Sequence, residues 1–187
     1  MDLTLTIANQ EETIFIDACL SNERWAQKKL YEDNYSSMMA LCMRYAGNNE
    51  DALDILHESF IKVFKNMYKY QVGTSLNAWI RKIVVNTSID FYRKDSRRKT
   101  EDLHEAYYVN TNIPDAVSKL SSEEILKALQ QLPHSYRSVF NLYVIEGYSH
   151  KEISGMLDIN ESTCRSNLVK ARTKLKNILL AADGEIR

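Results

Sequence analysis

Glycine and proline are scarce in this chain of 187 residues, at 5 and 2 respectively. A many-turned β-sandwich needs both at its turns, and a glycine-cradled nucleotide site needs the first, so neither has much to be built from. Cysteine is scarce too. Cys19, Cys42 and Cys164 are odd in number and far apart, with no Cys-x-x-Cys pair to hold a metal or a redox disulfide, and are expected to be reduced, small apolar side chains. Long apolar runs are missing: the longest, Met38 to Met43, is six residues, against roughly 20 for a membrane-spanning helix. The start, Met1-Asp2-Leu3-Thr4, has no basic segment of the secretory kind. A cytoplasmic, soluble protein is expected. Excess charge is missing as well, since 24 Lys and Arg meet 25 Asp and Glu for a net −1, which disfavours a disordered acidic tail and a uniformly basic nucleic-acid coat. What is present, 44% hydrophobic residues with few helix breakers, fits an all-α protein with one large core or two small ones.

Neutrality overall conceals blocks. Net charge is −4 over residues 1–22, −2 over 23–64, +7 over 65–99, −5 over 100–124 and +3 over 125–187. Charges are felt within a Debye length of roughly 8–10 Å at physiological salt, so the blocks matter more than the total. Solvated helix faces are one reading of such blocks; two nucleic-acid faces in an otherwise acidic chain are the other.

Apolar residues Tyr31, Tyr35, Met38, Cys42 and Tyr45 recur at helical spacing and predict a helix from about Trp25 to Ala46. Gly47-Asn48-Asn49 ends it, and Asn49 can cap a second helix with Glu50 and Asp51 in its first turn, where the helix dipole favours acids. Leu53, Leu56, Phe60, Val63 and Met67 continue this helix to about Lys69. After the loop Gln71-Val72-Gly73-Thr74, Ser75 is the expected N-cap of a third helix with Leu76, Trp79, Ile80, Ile83 and Thr87 on its buried side and a basic end, Arg93 to Lys99. Residues 100–120 are acidic, aperiodic and hold Pro114, the marks of a linker. Ser121 to Glu124 is a capping box. A helix from about His134 to Glu146 is expected to stop at Gly147 in a left-handed conformation. Ser149 and Glu152 form another capping box for a short helix ending near Asp158, and a last helix from about Glu161 carries Cys164, Leu168, Ala171 and Leu175 on its apolar stripe. The domain plan is therefore an N-terminal extension (1–23), a helical domain (24–99), a flexible acidic linker (100–120), a second helical domain (121–181) and a tail (182–187).

A short helix, a three-residue turn and a longer helix with polar and basic residues at its start form the layout of a helix-turn-helix, whose second helix enters the major groove. Base edges need donors there, and Arg165, Ser166 and Asn167 are candidates. The same layout also arises in a purely structural helical hairpin. In the first basic block aromatics alternate with bases: Tyr68, Lys69, Tyr70, then Trp79, Arg81, Lys82, Asn86, then Phe91, Tyr92, Arg93. Stacking platforms plus cations are what single-stranded nucleic acid requires. Trp79 and Phe91 fall on or beside the apolar stripe and read as core, whereas Tyr70 and Asn86 stand at a loop edge and as a polar break in an apolar run. Catalysis has no support: His57-Glu58 begins a zinc-protease pattern but Ile61 stands where its second histidine would, and no phosphate loop or nucleophile elbow occurs. His57, His104, His134 and His150 share no metal-like spacing, so neither metal nor cofactor is expected.

Together the two halves resemble the extracytoplasmic-function (ECF) subgroup of the sigma-70 family of RNA polymerase sigma factors. Asp51 to Phe64 is similar to the part of the family's region 2 in which an Asp-x-x-Gln-Glu-x-Phe pattern grips the polymerase clamp helices, with His57 where glutamine is usual. Trp79 to Asn86, with Asp90 and Arg93, resembles the part that melts and reads the minus-ten promoter element. Leu132-Pro133, Arg137 to Phe140, Gly147-Tyr148-Ser149, Glu152-Ile153, Thr163 to Ser166 and Ala171-Arg172 resemble region 4, which reads the minus-thirty-five element. The resemblance implies a transcription initiation factor rather than an enzyme. Its core-polymerase contacts would be Asp54, His57, Glu58 and Phe60. Its region 2 DNA contacts would be Lys62, Asn66, Tyr70 and Asn86 around a flipped base, with Arg81, Lys82 and Arg93 on backbone. Its region 4 DNA contacts would be Ser162, Thr163, Arg165, Ser166, Asn167, Lys170 and Arg172. Implied partners are bacterial core RNA polymerase (the clamp helices of the beta-prime subunit and the flap of the beta subunit), promoter DNA in double- and single-stranded form, and an anti-sigma factor, with no small-molecule substrate. Leu76 stands for a commonly aromatic residue, Cys164 for a usual valine and Asn167 for a common basic residue. Acidic segments on either side of the basic faces are expected to compete with phosphates for them in the free protein. The alternative is a dimeric helix-turn-helix regulator with an N-terminal sensor domain, which would leave the Asp54-to-Phe60 motif without a task.

Overall fold

The computed structural model describes the backbone of residues 3–98 and 121–185 and the side chains of residues 10–93 and 121–181. The expected linker, 100–120, and the side chains of the basic run Lys94 to Lys99 lie outside the described residues. Regular structure among the described residues is helical throughout: α1 (Leu3–Leu20), α2 (Arg24–Tyr45), α3 (Asn49–Asn66), α4 (Leu76–Arg98), α5 (Ser122–Gln130), α6 (His134–Phe140), α7 (His150–Leu157) and α8 (Glu161–Glu185). A 3-10 turn, Met67–Lys69, extends α3, and a π-helical stretch, Asn141–Ile145, extends α6. Helix α1 was not expected, and α8 continues past residue 181.

Two compact units result, Met1–Cys42 with Asn49–Ser88 and Met43–Asn48 with Ile89–Arg187. In the first, Ala26, Leu30, Met38, Leu41 and Cys42 of α2 are buried with Ile55, Leu56, Phe60 and Val63 of α3 and Ile80, Val84 and Val85 of α4. The expected stripes are buried at Met38, Cys42 and Tyr45 of α2, at Leu56, Phe60 and Val63 of α3 and at Ile80 and Thr87 of α4, but Tyr35 is exposed, Trp79 and Ile83 are only half-buried, and Asn34, Ser59 and Ser88 are inside. Ser59 and Ser88 donate to the carbonyls of Ile55 (2.6 Å) and Val84 (2.8 Å), and the Asn34 amide donates to Leu30 O (2.8 Å). A hydroxyl or amide bonded back to its own helix is satisfied, so it can be buried without an unmet donor.

In the second unit Leu129, Leu132 and Ala171 form a core against Ile125, Tyr136, Phe140, Leu175 and Ile178, drawing α5, α6 and α8 together. Both capping boxes form: Ser121 Oγ accepts from Glu124 N and Ser149 Oγ from Glu152 N, and each glutamate returns a bond to its cap's backbone amide. Those bonds favour the ionised carboxylates, so both glutamates titrate below the usual range. The buried guanidinium of Arg137 donates to Ala46 O (2.5 Å) and Leu132 O (3.2 Å), and the Asn141 amide donates to Arg44 O (2.7 Å), so carbonyls left over at the end of α2 find donors.

Gly147 has φ +78°, and a Cβ built on it would meet nothing within 4 Å. The left-handed backbone alone therefore sets the cost of Gly147→Ala, about 1–2 kcal/mol. Gly155, inside α7, would also meet nothing within 4 Å. Its replacement by Ala should stabilise by about 0.5–1 kcal/mol, through the unfolded chain. Urea midpoints at unchanged slope should move in opposite directions for the two variants.

Candidate nucleic-acid interface

The helix-turn-helix is formed by α7, the turn at Asp158 and α8. Asp158 takes the left-handed conformation (φ 56°, ψ 48°) that reverses the chain, a role open to Asp because its short polar side chain tolerates that region. Along α8, Cys164, Leu168 and Ala171 are buried, which turns Ser162, Thr163, Arg165 and Ser166 outward. Burial pushes the Cys164 thiol up, and its sulfur lies 3.3 Å from His150 Nδ1. Arg165 is paired with Glu161 at 3.0 Å, both exposed. The Lys170 ammonium lies over the Tyr136 ring (5.9 Å) and the Arg172 guanidinium over Tyr143 (6.0 Å), a cation–π arrangement for both. Asn167 differs from the other expected base readers. It is 9% exposed, on the same side as Cys164 and Leu168, because three residues after Cys164 the helix has returned to its inner face.

On α3 the expected polymerase contacts divide. Asp54 and His57 are exposed, Glu58 is half-buried and paired with Lys62 at 3.2 Å, and Phe60 is 3% exposed with its ring edge-on to Tyr31 at 4.8 Å. Phe60 thus supports the helix from within. Ile61, which spacing alone did not single out, is exposed one turn beyond His57.

The expected strand-binding residues begin on the next turn. Asn66 is half-buried and donates to Lys62 O (2.8 Å). Tyr70 follows the 3-10 turn, 7% exposed, with its ring 5.6 Å from Trp79. The loop beyond is a turn in which Thr74 N donates to Gln71 O (3.2 Å) and Gly73 has φ +86°, the position where type II turns require glycine. Ser75 Oγ caps α4 by accepting from Ala78 N (3.2 Å). Arg81 is half-buried, Lys82 and Asn86 are exposed, and Arg93 is half-buried and paired with Asp158 at 3.7 Å.

One residue of this site escaped the sequence reading. Glu12 of α1 accepts from the Tyr70 hydroxyl (2.6 Å) and from Gly73 N (2.9 Å), one carboxylate oxygen for each donor. The same hydroxyl is 2.5 Å from Thr74 O. Burial, and then the Glu12 carboxylate, push the Tyr70 phenol above its ordinary range. The only signal in the sequence was acidity ahead of a basic block.

Comparison with known proteins matches residues 30–98 to the family model for Sigma-70 region 2 and residues 122–175 to that for Sigma-70, region 4. The chain is 31% identical to the ECF RNA polymerase sigma factor SigE of Mycolicibacterium smegmatis over 84% of its own length, spanning 63% of that relative. It is 30% identical to the ECF RNA polymerase sigma factor EcfG of Rhodopseudomonas palustris, covering 79% of this chain and 81% of the relative. Among solved structures, the co-crystal of the sigma factor RpoE with the anti-sigma factor NepR from Bartonella quintana shares the fold, with a TM-score of 0.51 at 20% identity over 81% of this chain and 95% of that one.

Proposed function

Since the chain belongs to the ECF RNA polymerase sigma factors, we propose that it binds core RNA polymerase and directs it to specific promoters, reading the minus-ten element with region 2 and the minus-thirty-five element with region 4. The observation that carries this is the presence on one chain, in family order, of both matched segments, the second built around a helix-turn-helix whose Arg165 and Ser166 face solvent. A dimeric regulator is not favoured, because it gives the region 2 match nothing to do.

Asp54, His57 and Ile61, exposed at helical spacing on α3, are the proposed polymerase face, with Glu58 at its edge. Lys62, Asn66, Tyr70 and Asn86 are the proposed site for a base flipped from the displaced strand, with Arg81, Lys82 and Arg93 on phosphates. Ser162, Thr163, Arg165, Ser166, Lys170 and Arg172 are the proposed major-groove and backbone contacts of α8. Extracting a base costs a few kcal/mol of lost stacking. A small domain alone recovers little of that, so promoter opening is left to the complex with polymerase. The protein works in the cytoplasm, without a cofactor and without catalysing a reaction of its own, and an anti-sigma factor is its proposed regulator. No helix among the described residues is long and apolar enough to cross a membrane.

In vitro transcription tests this. Core polymerase should initiate at a defined start site only when the protein is added, and Asn86→Ala combined with Arg165→Ala should cut that transcription at least about tenfold. Initiation that ignores the added protein would refute the function. Initiation unchanged by the double variant would refute the residue assignments alone.

A further inference from the structure

Promoter reading as described has no use for helix α1, yet the chain folds it onto the loop beside the proposed base site. Its carboxyl-terminal half is anchored: Ile16, Ala18 and Cys19 are buried, and Phe15 packs its ring 6.1 Å from Trp25. That anchor delivers Glu12 to two donors of the Tyr70–Ser75 loop, the phenol at 2.6 Å and the Gly73 amide at 2.9 Å. We infer that Glu12 is a built-in competitor for the promoter's displaced strand, holding in the free protein the donors that a phosphate or base oxygen takes in the open complex. The inference rests on the reading of Tyr70 as part of the strand site.

Three features support it. A carboxylate presents two anionic oxygens to two convergent donors, the same chemistry a phosphate would present, so the two ligands exclude one another. The clasp is also reversible at small cost. Tyr70 has one phenolic proton and two acceptors within reach, so the Thr74 carbonyl, 2.5 Å away, keeps the hydroxyl satisfied when Glu12 leaves, and the exposed Gly73 amide turns to water. Finally, release needs only rotation of a half-exposed side chain or fraying of the helix ahead of its anchor at Ile16.

The full-length protein should be titrated into a fluorescent single-stranded DNA pool of random sequence, about 12 nucleotides long, with anisotropy read at fixed low salt. Glu12→Gln and Glu12→Ala should bind about five- to tenfold more tightly than the parent, the scale of an ordinary coupling between competing ligands. Glu11→Gln removes the same charge from the exposed neighbouring position and should change affinity less than about twofold. Equal tightening by Glu11→Gln, or none by either Glu12 variant, overturns the inference. Lys62→Ala and Asn86→Ala, made in the Glu12→Ala protein, separate the two ideas. If they weaken binding while the Glu12 variants do not tighten it, the competitor fails and the strand site stands. If they leave binding unchanged, the strand site fails and the competitor with it. Should circular dichroism show Glu12→Ala unfolded, the near-isosteric Glu12→Gln decides.

Discussion

Phe60→Ala should destabilise the unit that carries it by about 3–5 kcal/mol, whereas Asp54→Ala should leave its stability nearly unchanged and weaken binding to core polymerase. The two residues belong to one motif, but Asp54 is exposed and Phe60 is buried. Phe60 is 3% exposed and wedged between Tyr31 and Phe64, with ring centroids at 4.8 and 6.2 Å. Truncating a buried phenylalanine costs about 3–5 kcal/mol through lost burial and the cavity left behind, out of a total stability of about 5–15 kcal/mol for a typical domain. Phe60→Leu keeps most of the volume, should cost about 1–2 kcal/mol and should still bind polymerase. Urea denaturation followed by far-ultraviolet circular dichroism, alongside polymerase pull-down, reads both. A Phe60→Ala protein that is as stable as the parent yet fails to bind polymerase would show that the ring is a recognition group after all.

Arg165→Ala should weaken holoenzyme binding to minus-thirty-five duplex by roughly 5- to 150-fold, the range of one good bidentate base contact, and should relax the preference at a single base pair. Stability should barely change, because the pair Arg165 leaves, with Glu161 at 3.0 Å, is exposed on both sides, and exposed pairs are worth about 0–1 kcal/mol. Arg165→Lys should not restore the preference, since an ammonium lacks the planar fork. Asn167→Ala should behave the other way, losing stability without changing base preference, because its side chain is turned inward. Binding curves on a set of single-base-substituted duplexes at one salt concentration distinguish these outcomes. A uniform loss across all duplexes for Arg165→Ala would mean that the guanidinium holds phosphate and reads no base.

Much of this was legible in the sequence wherever the cause is local. Both capping boxes, the cap at Ser75, the left-handed Gly147 and the turn at Asp158 depend on residues within a few positions of one another, and each forms where expected. Helix phase was less legible. Hydrophobic spacing put Ile80 and Thr87 inside, as they are, but also favoured Trp79 and Ile83, which are half-buried, and overlooked Val84, Val85 and Ser88, which are buried, because close helix packing selects small and β-branched residues, and a hydroxyl bonded to its own backbone, as in Ser88, counts as apolar. The same blindness placed Asn167 outside. The contacts of Glu12 escaped because its partners are 58 and 61 residues away in sequence, a distance over which spacing carries no signal. The π-helical stretch at Asn141–Ile145 escaped for a related reason: Asn141 and Arg137 aim their side chains at carbonyls of Arg44 and Ala46, and no pattern inside residues 134–146 shows that demand.

The burial of Cys19 gives α1 a chemical clock. Its thiol is enclosed and its pKa is raised by desolvation, so the docked helix presents almost no thiolate, the form that maleimides and iodoacetamide attack. Alkylation of Cys19 therefore proceeds through states in which the anchor of α1 has opened, and its rate at rising reagent concentration measures that opening. Departure of Glu12 alone leaves the clock silent. Detachment of the whole helix sets it running, which separates a side chain stepping aside from an arm swinging free, without any DNA in the tube.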